Sequence, residues 1–366
     1  LDDLPQSLLI YRQLLQWLGG VGIIVVAVAV LPMLGIGGMQ LYKAETPGPS
    51  KDSKLTPRIT ETAKALFTVY LALTLACALA YWAAGMSKFD AIAHAFSTVA
   101  IGGFSTHDAS MGYFDNAYFD WVVIIFMFLG GVSFVLFYFL ARGEWRSFKI
   151  NTEFRWYVGF VLFFCVAVSL ILWEHGTYGL ADSVRFGTFQ VVSLLTTTGF
   201  TTADYELWPG AAQVFLYVVC FIGACAGSTT SGIKVVHFVI ICKFMVAAMR
   251  KIYFRPLAVV AVRLNGRRIE LSVIHLALCY FIVNIFLILA GACFMAVVEG
   301  MDLLSATTSV IATLMNIGPG WGSVGPSENF AHISDVGKWF LSFMMLVGRL
   351  EMFTPLVLFY PSFWKH

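Results

Sequence analysis

The sequence predicts an all-α polytopic membrane protein, built as a pseudo-fourfold repeat of helix–short helix–helix units. Three observations predict it. Hydrophobic residues make up 59% of the chain and charged residues 12%, with mean hydropathy +0.81. Soluble domains run to about a quarter charged, and no water-soluble fold of 366 residues hides so much apolar side chain. Apolar runs of spanning length alternate with shorter ones, and two glycine-bearing motifs recur at corresponding places.

Seven apolar runs are long enough to cross: 14–38, 63–84, 119–141, 155–174, 212–246, 272–298 and 337–361. About 20 residues cross roughly 30 Å of hydrocarbon. Between them lie 89–102, 183–198 and 302–317, each running into glycine. A helix of about 14 residues reaches only some 20 Å, so these read as re-entrant helices. Segments 43–65, 141–157 and 243–270 hold sixteen of the 23 Lys/Arg, while 85–120, 173–210 and 298–338 hold three, with twelve of the 21 Asp/Glu. Positive-inside orientation makes the first group cytoplasmic. The acidic group faces out, where it concentrates cations.

The repeat divides the chain. Residues 1–42 supply the closing helix of an incomplete first unit; 63–141, 155–249 and 270–366 are the second, third and fourth units. Cytoplasmic linkers fall at 43–62, 142–154 and 250–269. TVAIGGFSTHD (98–108) echoes LLTTTGFTTAD (194–204), and MNIGPGWGSVG (315–325) holds the third equivalent place. WLGGVGI (17–23) pairs with FLGGVSF (128–134), with Gly223 and Gly348 in comparable positions. Non-helical backbone at membrane depth survives only inside protein or beside a watery cavity. Glycine permits angles that aim successive carbonyls one way, and strands of this kind around an axis replace a cation's hydration shell. The lining residues are Ala100, Ile101, Gly102 and Gly103; Thr196, Thr197, Thr198 and Gly199; and Asn316, Ile317, Gly318 and Pro319. One such turn alone reads as a tight turn between packed helices; three copies, each after a helix too short to span, favour the pore.

AIGGFSTHD, LLTTTGFTTAD, MNIGPGWGSVG, GSTTSGIKV and MMLVGRLEMFTP together resemble the Trk/Ktr/HKT superfamily of potassium transporters, closest to its bacterial Trk-type branch, over essentially the whole chain. The resemblance implies four helix–pore helix–helix units around one pore, with Gly103, Gly199 and Gly318 as filter glycines. It implies uptake of potassium, a bacterial cytoplasmic (inner) membrane location, a homodimer of pore subunits, and a cytosolic nucleotide-binding TrkA-type regulatory ring. Only three of the four filter segments are read here, and the first bears on the choice of K+ over Na+.

GACAGSTTSGIKVVH (223–237) lies inside the apolar tract 211–249. It nearly matches a phosphate-binding loop, but Ile233 stands where that pattern needs lysine. A break near 223–232 divides the tract into two half-helices, leaving a small-residue loop just below the filter. The gate is assigned to Gly223, Gly227, Ser228, Thr229, Thr230, Ser231 and Gly232, with Lys234 and Arg349; the resemblance likewise implies an intramembrane loop obstructing the pore. The plainer alternative is a kink that never moves. Arg349 lies mid-span, where charge costs about 3 kcal/mol or more and marks a pathway; its alternative is a buried ion pair. Lys234 either belongs to the gate or snorkels to the cytoplasmic interface.

The seven cysteines read as small buried hydrophobes, not disulfides or metal ligands. His94 reads as structural, and LGIGGMQL (34–41) lacks dinucleotide spacing. With no nucleophile–base set or H-E-x-x-H and a net charge of +2, enzyme and nucleic-acid functions are not expected. No cofactor is expected, and potassium is the transported ion. A carrier coupled to H+ or Na+ is the competing class; it calls for intramembrane carboxylates, and Glu351 is the one clearly within a span.

Overall fold

The computed structural model describes residues 1–25, 59–253, 262–350, 352–359, 361 and 364. LGIGGMQL, the second half of run 14–38 and Glu351 lie outside them. The fold is helical: α1 (Gln6–Val25), α2 (Ile59–Ala83), α3 (Lys88–Ala100), α4 (Ala117–Gly130), α5 (Phe134–Ala141), α6 (Arg146–Ile150), α7 (Thr152–Glu174), α8 (Leu180–Leu195), α9 (Gly210–Val219) and α10 (Val235–Tyr253). A two-stranded hairpin, β1 (Arg263–Leu264) and β2 (Arg267–Arg268), precedes α11 (Leu271–Glu299), α12 (Leu303–Leu314), α13 (Asp335–Arg349) and α14 (Phe353–Val357).

Among the described residues, three helices are long and apolar enough to cross a membrane, at Ala63–Ala83, Thr152–Glu174 and Leu271–Glu299. Most of each stretch is unburied: 22%, 39% and 28% lies inside the protein. Leucines and phenylalanines such as Leu79, Phe163 and Phe286 point outward, as helices solvated by lipid do. The interior is where hydroxyls collect, including Ser97, Ser193, Thr196 and Ser309.

The short helices lie where the sequence places them, and their caps show why they start there. Ser87 Oγ accepts from the Asp90 amide, and Asp302 Oδ2 accepts from Leu304 and Ser305; such caps satisfy amides that have no intrahelical partner. Each short helix packs on the opening helix of its own unit: α3 on α2, α8 on α7, α12 on α11. Two also pack on the preceding unit's closing helix, α3 on α1 and α8 on α4. The units are therefore interlocked, not merely adjacent.

Three closing runs are not straight spans. Run 119–141 bends by 91° between α4 and α5; run 212–246 is interrupted between α9 and α10; and run 337–361 is divided between α13, which ends at Arg349, and α14, which starts at Phe353, with Met352 before it at φ +47°. Hydropathy records burial depth but not direction, so a sharp bend in FLGGVSF looks like a span. The cysteines divide: Cys77, Cys165, Cys220 and Cys225 are buried, Cys242 is half-buried, and Cys279 and Cys293 are exposed on the outer side of α11. Acidic residues do lie within helices of spanning runs: Asp120 in α4 and Glu153 in the first turn of α7 are both buried.

Candidate functional site

The three glycine turns share one backbone. Ile101, Thr197 and Asn316 are left-handed, with φ of 54°, 59° and 55°; two residues later Gly103, Gly199 and Gly318 have φ of 73°, 86° and 107°. Gly102 N–H donates to Ser97 O (2.9 Å), Thr198 N–H to Ser193 O (2.8 Å) and Ile317 N–H to Ala312 O (2.8 Å). The preceding amides donate to Thr98, Leu194 and Thr313. This is the Schellman ending of a helix, usually made by glycine. A β-branched side chain there costs of order 1–3 kcal/mol and persists only where its surroundings enforce it. Ile101 and Thr197 are both β-branched, so two of the three turns hold this strain.

The turns also touch one another. A Cβ on Gly103 would collide with Thr198 O, and one on Gly199 with Ile317 O. The second unit's turn thus lies against the third's, and the third's against the fourth's. Gly318 meets nothing within 4 Å. Because α3, α8 and α12 all end at these turns, their C-terminal partial negative charges gather there, which favours a cation.

A cavity of ≈440 Å³ opens beside the turns, lined among others by Ala100, Ile101, Gly102, Asn316, Ile317, Gly318, Ser231 and Arg349. The turns of the second and fourth units, the loop and the arginine therefore face one space. Thr196–Gly199 does not line it; there Thr196 Oγ1 and Thr198 Oγ1 pair at 2.7 Å, both buried. Gly103 and Pro319 also lie outside the lining.

The break between α9 and α10 forms a buried loop. Gly223 N–H donates to Ile233 O (2.8 Å) and Val235 N–H to Ala224 O (3.1 Å), closing its neck. At its tip Thr229 Oγ1 donates to Val99 O (3.1 Å), at the end of α3, and Ser231 N–H donates to Thr197 Oγ1 (3.0 Å) in the third unit's turn. Two cations hold the tip: Arg349 Nη1 donates to Thr229 O (2.9 Å) and Ser231 Oγ (2.8 Å), and Lys234 Nζ donates to Thr230 O and to Thr230 Oγ1 (3.1 Å). Lys234 is buried and folds back on the loop, so it does not snorkel. Ser228 Oγ donates to Cys225 O (2.5 Å), and Gly227 and Gly232 turn with positive φ. His94 is buried, with Nδ1 at Asp90 O (2.9 Å) and Nε2 at Ser105 Oγ (3.0 Å), a structural arrangement.

Two glutamines escaped the sequence reading. Gln13 Nε2 donates to Phe104 O (2.9 Å) and Gln16 Nε2 to Gly102 O (2.7 Å), so α1 holds the second unit's turn from the side. Their three-residue spacing puts both on one helix face, which the sequence did contain.

The sequence profile of the TrkH family, described as cation transport proteins, matches residues 1–366. The chain belongs to the TrkH family of cation transport proteins. It is 47% identical over 369 residues to the Trk system potassium uptake protein TrkH of Salmonella typhimurium, covering 100% of this chain and 75% of that protein. It is 38% identical over 371 residues to the Trk system potassium uptake protein TrkG of Escherichia coli, covering 100% and 74%. The crystal structure of the potassium transporter TrkH from Vibrio parahaemolyticus superposes with a TM-score of 0.88 at 41% identity, covering 99% of this chain and 74% of that one. The pseudo-fourfold helical architecture read from the sequence is the one this TrkH-family chain has, and membership places it among transporters.

Proposed function

We propose that the chain is the pore subunit of a Trk-type system that takes up potassium through a gated, carbonyl-lined pathway in the bacterial cytoplasmic membrane. The observation that carries the proposal is the repeated turn: one left-handed residue, then a glycine two places on, at the ends of three helices too short to span. Backbone carbonyls ordered in this way substitute for the water around a cation. In this reading Ala100–Gly103, Thr196–Gly199 and Asn316–Pro319 bind K+ in transit. The units 63–141, 155–249 and 270–366 surround the path, with residues 1–42 closing the first.

Loop 223–232 is the gate. It lies buried beneath two of the turns, and Arg349 and Lys234 hold its tip, so a permeating cation meets an obstruction and two like charges together. The relatives named for potassium uptake support K+ as the ion. The chain works as one subunit of a homodimer, with a cytosolic nucleotide-binding ring of TrkA type regulating it, and binds no cofactor of its own. No catalytic step is part of this function.

Expression in a potassium-uptake-deficient bacterium tests the substrate: the proposal expects growth at low K+ to be restored, and failure despite normal membrane insertion contradicts it. Reconstitution separates a pore from an ion-coupled carrier. K+ flux persisting after the H+ and Na+ gradients are collapsed fits the pore; flux lost with either gradient fits the coupled symporter.

A further inference from the structure

The gate loop has one anchor that differs from the rest. Cys225 N–H donates to Gly131 O (3.0 Å), and Phe134 N–H donates to Gly227 O (3.0 Å), so two backbone bonds interlock the loop with the α4–α5 bend. Between those two bonds, Ala226 N–H donates to Glu153 Oε1 at 2.7 Å. This anchor is a carboxylate, on a side chain only 2% exposed. Burying a carboxylate is expensive unless it is paired, and a loop amide at membrane depth likewise needs a partner.

Glu153 sits in the first turn of α7, and the amides on either side of it are capped by asparagines. Asn151 Oδ1 accepts from Phe154 N–H (2.8 Å), and Asn265 Oδ1 accepts from Thr152 N–H (2.7 Å). Asn265 and Gly266 form the hairpin turn, with φ of 49° and 79°, the two-residue I′ geometry that Asn-Gly favours. Leu264, 1% exposed, fixes the hairpin against the protein. The hairpin therefore braces the turn that presents Glu153 to the loop.

We propose that Glu153 is a positioning residue that latches the gate loop closed, and that the 263–268 hairpin, through Asn265, sets the latch. This rests on loop 223–232 being the gate. The backbone bonds to the α4–α5 bend break only if a helix moves. The carboxylate bond breaks on a small shift of one helix turn, and that turn is in contact with a cytoplasmic element. The hairpin is thus placed to change the loop's hold without reaching the pore.

The test uses the full chain in liposomes, with two readouts. One is 86Rb+ flux. The other is maleimide labelling of Cys225, 1% exposed and adjacent to Ala226, quantified by mass spectrometry of its peptide. Glu153→Ala raises both about tenfold, equivalent to about 1.4 kcal/mol of lost hold. Glu153→Gln, which keeps an acceptor oxygen, raises both about threefold, since hydrogen bonds to charged groups exceed neutral ones by roughly this much. Asn265→Ala raises labelling about twofold, as a second-layer brace should. In a chain lacking 227–231, Glu153→Ala adds nothing to flux.

Unchanged flux and labelling in Glu153→Ala, while loop shortening raises flux, overturns the latch and leaves the gate standing. Unchanged flux on loop shortening defeats the gate reading, and the latch that rests on it falls with it. If Glu153→Ala does not reach the membrane, Glu153→Gln decides alone, and parental flux and labelling overturn the proposal. A flat response in Asn265→Ala removes the hairpin from it.

Discussion

The glycine turns and the breaks in the closing helices occupy matching places in the three units, yet one set is uniform and the other is not. The left-handed residues of the turns agree within a few degrees, and each pair of amides reaches back to the same positions of its short helix. The breaks differ in kind: a 91° bend at 131–133, a long buried loop at 220–234 and a short separation between α13 and α14. Carbonyls that must converge on one ion require near-identical geometry from every unit. A gate requires the opposite, one unit free to depart from its siblings while the others hold it. The neighbours of the shorter breaks do hold the loop: the bend bonds it through Gly131 and Phe134, and Arg349, the last residue of α13, caps its tip.

The largest way to break this comparison is within the uniform set. Gly199→Ala places a Cβ on Ile317 O in a left-handed residue, where handedness alone costs about 1–2 kcal/mol. K+ uptake falls by more than about tenfold, measured as 86Rb+ entry into cells expressing comparable amounts of protein. Gly318→Ala meets open space and loses less. Equal losses from the two would mean that contact between turns is immaterial.

Next comes the divergent set. Deleting 227–231 raises flux in liposomes by about tenfold, the scale of one lost tip anchor; unchanged flux makes the loop a static kink. Arg349→Ala follows, raising flux about fivefold as a barrier to cations is removed. Disappearance of the protein from the membrane would instead assign Arg349 to packing.

The smallest effect concerns a short helix alone. Asp302→Ala removes the cap of α12 and lowers stability by about 1 kcal/mol, read as a drop in Tm in detergent. Hydrogen bonds from Ser305 hold this carboxylate below its ordinary pKa of 3.8. A depressed folded pKa means the cap's contribution is complete above the unfolded value and fades as pH falls through the folded one. The parent and Asp302→Ala proteins therefore converge in Tm only in strong acid.

The short helices were legible because two signals coincided, an apolar run too brief to span and a glycine at its end; 89–102 became α3 and 302–317 became α12 with small shifts. The interruption near 223–232 was legible from small residues where a helix needs bulk. The 91° bend was not, since FLGGVSF is as apolar as a straight span. Nor was the burial of Asp120 and Glu153, because hydropathy gives position along a helix and not what packs over it. Asn265–Gly266 is a strong hairpin signal that the surrounding basic residues disguised as linker. Gln13 and Gln16 showed only as polar residues on one face of α1, and the turn they grip lies some ninety residues away in sequence.

The most direct measurement is anomalous diffraction from crystals of the protein grown in Rb+. Convergent carbonyls predict a peak among Ala100–Gly103, Thr196–Gly199 and Asn316–Pro319, displaced by excess K+. Ordered turns without a peak between them, or a Rb+ site only elsewhere, would contradict it.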